Sequence, residues 1–243
     1  MISEYLIKSL SSAKVVAHRG FSGQFPENTL TSFREAALNG AKWVELDVML
    51  SKDGVPLVFH DETLDRMSGF SGRLDDFTFS ELSQLKIKNI EKIAKLEEVL
   101  ALIFEKKMKV NIEVKPSRSE LAEKTAIKAF EAAKFFNAEK DGRVLFSSFN
   151  TESLKTIRTL SGDAAIGVLT NGEKEKALAT ARDLKAFSIH CSVNDASEDF
   201  LMSVYDNGMN SLVYTVNDRQ QAYEILRLGA LAVFSDYPNI LEN

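Results

Sequence analysis

Val15-Val16-Ala17-His18-Arg19-Gly20, followed by Pro26-Glu27-Asn28-Thr29, is the stretch from which the fold of this chain can be read. A short β-branched run ends in an imidazole, a guanidinium and a glycine, and a helix-start signal follows. Leu30, Phe33 and Ala37 then recur at helical spacing, with Asn28 a good N-cap candidate and Gly40 closing the helix. This is a βα unit whose strand delivers His18 and Arg19 to its carboxyl end. Histidine moves protons near neutral pH, and arginine grips oxyanions with a planar fork of donors. With only three histidines in 243 residues, one placed here marks the floor of a candidate anion site.

The same alternation continues along the chain. Strands are expected at Val15–Ala17, Trp43–Met49, Val55–Phe59, Val110–Val114, Val144–Ser147, Ile166–Leu169, Phe187–Ile189, Leu212–Thr215 and Val233–Phe234. Helices are expected at Thr29–Asn39, Phe79–Leu85, Leu96–Lys106, Ser119–Phe136, Glu152–Leu160, Glu173–Asp183, Asp195–Asp206 and Asp218–Arg227. The fold class is α/β, and the length suits a (β/α)8 TIM barrel as a single domain over 1–243. The strands number one too many for such a barrel. Only Ser51-Lys52-Asp53-Gly54 separates Leu50 from Val55, while a parallel crossover needs about a dozen residues. Val55–Phe59 is therefore expected to turn back antiparallel at Asp53-Gly54, bringing His60 level with Asp47; a parallel placement is the alternative. Residues 61 to about 108 are too long for an ordinary βα loop and contain the flexible stretch Ser68-Gly69-Phe70-Ser71-Gly72.

Composition narrows the function. A net charge of −5 argues against a nucleic-acid surface, which calls for clustered Lys and Arg. An anionic substrate would have to be held by local positive charge or a metal. No run approaches the roughly 18 apolar residues of a membrane span. The segment from Met1 to Lys14 carries Glu4, Lys8 and Lys14 and does not read as a secretory signal. One cysteine, Cys191, leaves no internal disulfide. The expectation is a cytoplasmic protein.

Glu45 and Asp47 alternate with apolar residues and leave their strand on one face. Two inward carboxylates are costly unless neutralised. Glu113, on another strand with Asn111 and Lys115 on its face, completes a hard, oxygen-rich set suited to Mg²⁺ or Ca²⁺. The alternative is that Glu113 pairs with Lys115 while Glu45 faces solvent. Arg19 either holds an anion, with Lys115 helping, or pairs with Glu27 or a strand-end carboxylate; both roles can coexist. His190 also ends an expected strand, without a supporting motif, and reads as structural or substrate-lining. Ser147-Ser148-Phe149 lacks the surroundings of a nucleophilic serine.

The ordered blocks of this chain resemble the glycerophosphodiester phosphodiesterase family. They are His18-Arg19-Gly20, Pro26-Glu27-Asn28-Thr29, Glu45-Leu46-Asp47-Val48, Asp53-Gly54, Val58-Phe59-His60-Asp61 with Leu64-Asp65-Arg66, and Leu96-Glu97-Glu98-Val99-Leu100. Asn111-Ile112-Glu113-Val114-Lys115, Ser147-Ser148-Phe149, Tyr214-Thr215-Val216-Asn217 and Ser235-Asp236-Tyr237-Pro238 complete the set. The resemblance implies a TIM barrel with a small insertion, at about 61–108, after the His60 hairpin. It also implies metal-dependent hydrolysis of small-molecule glycerophosphodiesters to glycerol 3-phosphate and an alcohol. His18 and His60 would be the acid–base pair, Glu45, Asp47 and Glu113 the metal ligands, and Arg19, Lys115 and Tyr214 the substrate-binding residues. The family reaction is believed to run through attack by a substrate hydroxyl and a cyclic phosphate. Two departures stand out. Tyr214 replaces the usual Trp before Thr-Val-Asn, and Ile93-Ala94-Lys95-Leu96 replaces an apolar-Pro-Thr-Leu. Lysophospholipids or another phosphodiester are alternative substrates, and a non-catalytic phosphate-binding barrel is the reading from a different class.

Overall fold

The computed structural model describes residues 2–242; the outermost residues of the expected 1–243 domain lie outside them. The chain runs α1 (Ile2–Ala13), β1 (Val15–Ala17), α2 (Leu30–Leu38), β2 (Trp43–Leu50), β3 (Pro56–Val58), α3 (Asp65–Ser68), α4 (Phe79–Leu82), β4 (Lys86–Ile87), β5 (Glu91–Lys92) and α5 (Leu96–Glu105). It continues through β6 (Lys109–Val114), α6 (Ala122–Phe135), β7 (Val144–Ser148), α7 (Thr151–Leu160), β8 (Ile166–Thr170), α8 (Lys174–Asp183), β9 (Ser188–Ser192), α9 (Glu198–Asp206), β10 (Asn210–Tyr214), α10 (Arg219–Arg227) and β11 (Ala232–Ser235). Strand order is β1-β11-β10-β9-β8-β7-β6-β2, and the parallel pairing of β1 with β2 closes the ring into an eight-stranded barrel. Its strands are rich in Val, Ile and Leu because both faces are covered.

β3 is the surplus strand. It pairs antiparallel with β2, Val48 facing Val58, so the parallel alternative is discarded. Gly54 sits at φ +80° in the turn, a conformation that L side chains avoid. The Phe59 N–H donates to the Asp47 carbonyl at 3.1 Å, so His60 follows one residue beyond the level of Asp47.

Several local readings differ from expectation. The N-cap of α2 is Thr29, whose side chain accepts from Ser32 N–H in a capping box. Asn28 instead adopts φ +58°, which Asn tolerates, and its side-chain amide donates to Asp47 at 2.9 Å. The buried carboxylate thus draws Asn28 away from the cap. The second difference is α1, absent from the helices expected above. Leu6 and Leu10 are fully buried and pack with Val16, Trp43, Leu145, Leu212 and Phe234, plugging the amino-terminal end of the barrel.

Between β3 and α5 the chain builds a small layer beside the barrel mouth. Met49 and Leu57 of the hairpin pack with Phe59, Leu64, Met67, Leu74, Leu82, Ile87 and Ile93. α4 stops at Leu82, shorter than the expected Phe79–Leu85. Polar contacts tie the layer to the barrel. Asp75 accepts from Arg73, Arg118 and Ser117, joining it to the loop after β6. The Glu91 carboxylate accepts the Thr31 N–H in the first turn of α2 at 3.2 Å. No helix among the described residues is long and apolar enough to cross a membrane.

Candidate active site

The carboxyl ends of the strands converge on an acidic group. Glu45 and Asp47 leave one face of β2, and parallel pairing sets Asp47 beside Glu113 of β6. One oxygen from each of the three carboxylates lies within 4.8 Å of the others. Glu45 and Asp47 are buried, at 3% and 1% exposure, so Glu45 does not face solvent. Lys115 pairs with Asp47 at 3.8 Å.

Burial, reinforced by its acidic neighbours, drives Glu45 well above the ordinary carboxylate range. Burial and the charge of Asp47 push Glu113 up to about 8. Burial also acts to raise Asp47, but Arg19, Lys115 and His60 outweigh it and hold its pKa low. The cluster is therefore short of positive charge. Glu45 Oε2 accepts the Arg19 backbone N–H at 2.9 Å, while its buried Oε1 has no hydrogen-bond partner among the described residues. An orphaned oxygen among three converging carboxylates fits a hard divalent cation, which takes oxygen ligands and supplies the missing charge.

The two motif histidines flank this cluster, each turned by a carboxylate. His18 Nδ1 lies 2.7 Å from Asp236 Oδ1, and its Nε2 is 4.0 Å from Glu45. His60 Nδ1 lies 2.6 Å from Asp61 Oδ1. A carboxylate accepts only, so Nδ1 carries a proton in both rings and Nε2 is the atom left for chemistry. Burial lowers the His60 pKa, with Arg19 and Lys115 adding to the effect against Asp47 and Asp61. Asp61 would be raised by burial, but hydrogen bonds from Arg66 and His60 bring it down to about 2.

Arg19 pairs with Glu27 at 2.9 Å and lies 3.2 Å from Asp47. Gly20, at φ +83°, allows this turn to press on α2, where a Cβ would meet Ser32 Oγ at 2.5 Å. His18, Arg19, Glu45, His60, Glu113 and Lys115 line one side of a cavity of about 290 Å³. Phe149, Leu169, Tyr214 and Phe234 form its apolar wall. Tyr214 OH donates to the Thr170 carbonyl at 2.6 Å, and its ring meets Phe149 edge-on. Seven of the eight expected site residues thus line one cavity; Asp47, 1% exposed, is not among its lining residues.

His190 is not among the cavity residues. It is fully buried, its Nε2 sits 2.9 Å from Ser188 Oγ, and burial lowers its pKa to about 3. The residues that orient the site had no orienting role assigned from the sequence, apart from Glu27 as a partner of Arg19. They are Asp236 with its partners Asn217 and Ser22, Asp61, Arg66, Glu27 and Asn28. All but Ser22 lie inside one of the sequence blocks named above, adjacent to a candidate site residue or nearby, and that adjacency was the available signal.

A sequence model of the glycerophosphoryl diester phosphodiesterase family matches residues 18–240. The glycerophosphodiester phosphodiesterase of Caldanaerobacter subterraneus subsp. tengcongensis is 35% identical over 236 residues, covering 94% of this chain and 96% of its own length. That of Bacillus altitudinis is 32% identical over 236 residues, covering 93% and 95%. A phosphodiesterase from Oleispira antarctica, solved in complex with the product sn-glycerol-3-phosphate, superposes with a TM-score of 0.87 at 34% identity over 93% of each chain.

Proposed function

Because the chain belongs to the glycerophosphoryl diester phosphodiesterase family, we propose that the mouth of its barrel hydrolyses glycerophosphodiesters through His18 and His60, with a divalent cation on Glu45, Asp47 and Glu113. The reaction releases glycerol 3-phosphate and an alcohol. The observation that carries the reading is the paired imidazoles, each held through Nδ1 by a carboxylate, beside three converging acidic side chains.

Cleaving a phosphodiester requires a deprotonated nucleophile and a protonated leaving oxygen. One imidazole accepts the proton of the attacking hydroxyl, and the other donates a proton to the departing alkoxide. Each such transfer contributes roughly 10²–10⁴-fold. Water then opens the cyclic phosphate with the two roles exchanged. Arg19, fixed between Glu27 and Asp47, offers donors to the phosphate oxygens, and Lys115 adds positive charge opposite. A bound Mg²⁺ or Ca²⁺ would supply charge for the developing phosphorane. Asn28 holds Asp47 in place through its amide.

The test is phosphorus NMR of glycerophosphocholine turnover by wild type, His18→Ala and His60→Ala. Wild type is expected to form glycerol 3-phosphate and both variants to lose turnover while staying folded. Near-normal turnover in either variant would remove that histidine from the mechanism. One observation favours a second substrate class: Phe149 is half-exposed beside Tyr214 on the apolar wall, which suits a phosphodiester carrying an acyl chain. Faster turnover of a lysophospholipid than of glycerophosphocholine would establish that preference.

A further inference from the structure

Arg66 does not line the cavity, yet it holds two carboxylates, Asp61 and Glu27, that orient cavity residues. It sits on α3, the single turn that opens the added layer. Its Nε and Nη2 donate to the two oxygens of Asp61 at 2.6 and 2.9 Å. Its Nη1 and Nη2 donate to the two oxygens of Glu27 at 2.9 and 2.7 Å. Asp61 fixes His60 through Nδ1, and Glu27 receives Nη1 of Arg19. One guanidinium therefore closes the path His60–Asp61–Arg66–Glu27–Arg19.

We propose that Arg66 is a positioning residue that sets the His60 imidazole and the Arg19 guanidinium relative to each other, making the added layer part of the active-site framework. The inference rests on the proposed roles of His60 and Arg19. Four donors in one plane satisfy two carboxylates at once, which only a guanidinium can do; an ammonium would serve one carboxylate at a time. Without Arg66, Asp61 and Glu27 are left as two neighbouring anions with one partner each, and both are free to leave the geometry they impose. The layer is independently anchored by its apolar core and by the Asp75 and Glu91 contacts, so loss of Arg66 leaves the fold in place. The Lys88 ammonium holds the Arg66 backbone carbonyl at 2.9 Å, an anchor that does not depend on the side chain.

The experiment measures kcat and KM for glycerophosphocholine, the half-saturating Mg²⁺ concentration and the thermal midpoint in wild type, Arg66→Ala and Arg66→Lys. Arg66→Ala is expected to lose at least tenfold in kcat and to gain in KM, with the metal titration unchanged and the melting temperature close to wild type. Because the side chain is 47% exposed, low concentrations of free guanidinium ion should restore several-fold activity to Arg66→Ala, while Arg66→Lys should not recover it. Arg66→Ala within twofold of wild type in both constants would overturn the proposal. So would a loss that follows reduced melting temperature, is recovered by lysine and is untouched by guanidinium, because that pattern marks a brace for the fold only. Absence of turnover in folded wild type would instead overturn the underlying function, and this inference with it.

Discussion

His18 and Asp236, 218 residues apart in sequence, meet at 2.7 Å where the first and last strands of the barrel lie side by side. Closure of the ring thus also sets the orientation of the His18 imidazole, the first of the proposed acid–base pair. Asn217 and Ser22 donate to the same carboxylate at 2.6 and 3.0 Å and keep it aimed.

Asp236→Asn keeps the shape but removes the charge that favours an Nδ1–H tautomer. Its kcat should fall by more than about tenfold, up to the roughly 10²–10⁴-fold attributed to the imidazole itself. Steady-state kinetics measure this. A variant within twofold of wild type would show that His18 is held by other means.

Glu45→Gln removes one anionic oxygen from a cluster in which burial and acidic neighbours raise Glu45 and Glu113. The metal concentration for half-activity should rise by at least the roughly 10–100-fold cost known for losing an outer partner of a ligand. An unchanged titration would move the cation elsewhere.

Arg19→Lys retains charge but not a fork able to touch Glu27 and Asp47 together. Hydrogen bonds to charged groups are worth about 1.5–3 kcal/mol, so kcat/KM should fall by roughly 10- to 100-fold. Wild-type kinetics would transfer the phosphate clamp to another residue.

His190 titrates at about 3 in the folded protein against an ordinary 6.5, because burial disfavours its charged form. The unfolded chain therefore binds a proton between these values that the native chain does not. This contribution to stability is whole above about pH 6.5 and is lost as pH falls toward about 3, with a slope near 1.4 kcal/mol per pH unit inside the window. Urea midpoints across that range, together with NMR of the His190 ring, measure it. A ring that titrates near pH 6 in the native state would contradict the assignment.

The barrel was legible because its strands are short β-branched runs punctuated by amphipathic helices, and the hairpin because four residues cannot make a parallel crossover. The acidic cluster was legible for a related reason: Glu45 and Asp47 alternate on one strand, and Glu113 closes the next. What escaped was set by tertiary contact. α1 carries Ile2, Leu6, Leu10 and Ala13 on one helical stripe, but no strand precedes it, so it lies outside the βα alternation until the barrel end exists to receive it. Asn28 has the chemistry of an N-cap, but Asp47 competes for its amide. Arg66 reaches Glu27 across 39 residues, a pairing that no local spacing encodes.

The most direct measurement is release of glycerol 3-phosphate from glycerophosphocholine by the purified protein in EDTA and again after Mg²⁺ or Ca²⁺ is restored. Turnover absent in EDTA and recovered with a divalent cation is the expected result. Equal turnover in EDTA would contradict the role of Glu45, Asp47 and Glu113, and no turnover under either condition from folded protein would contradict glycerophosphocholine hydrolysis itself.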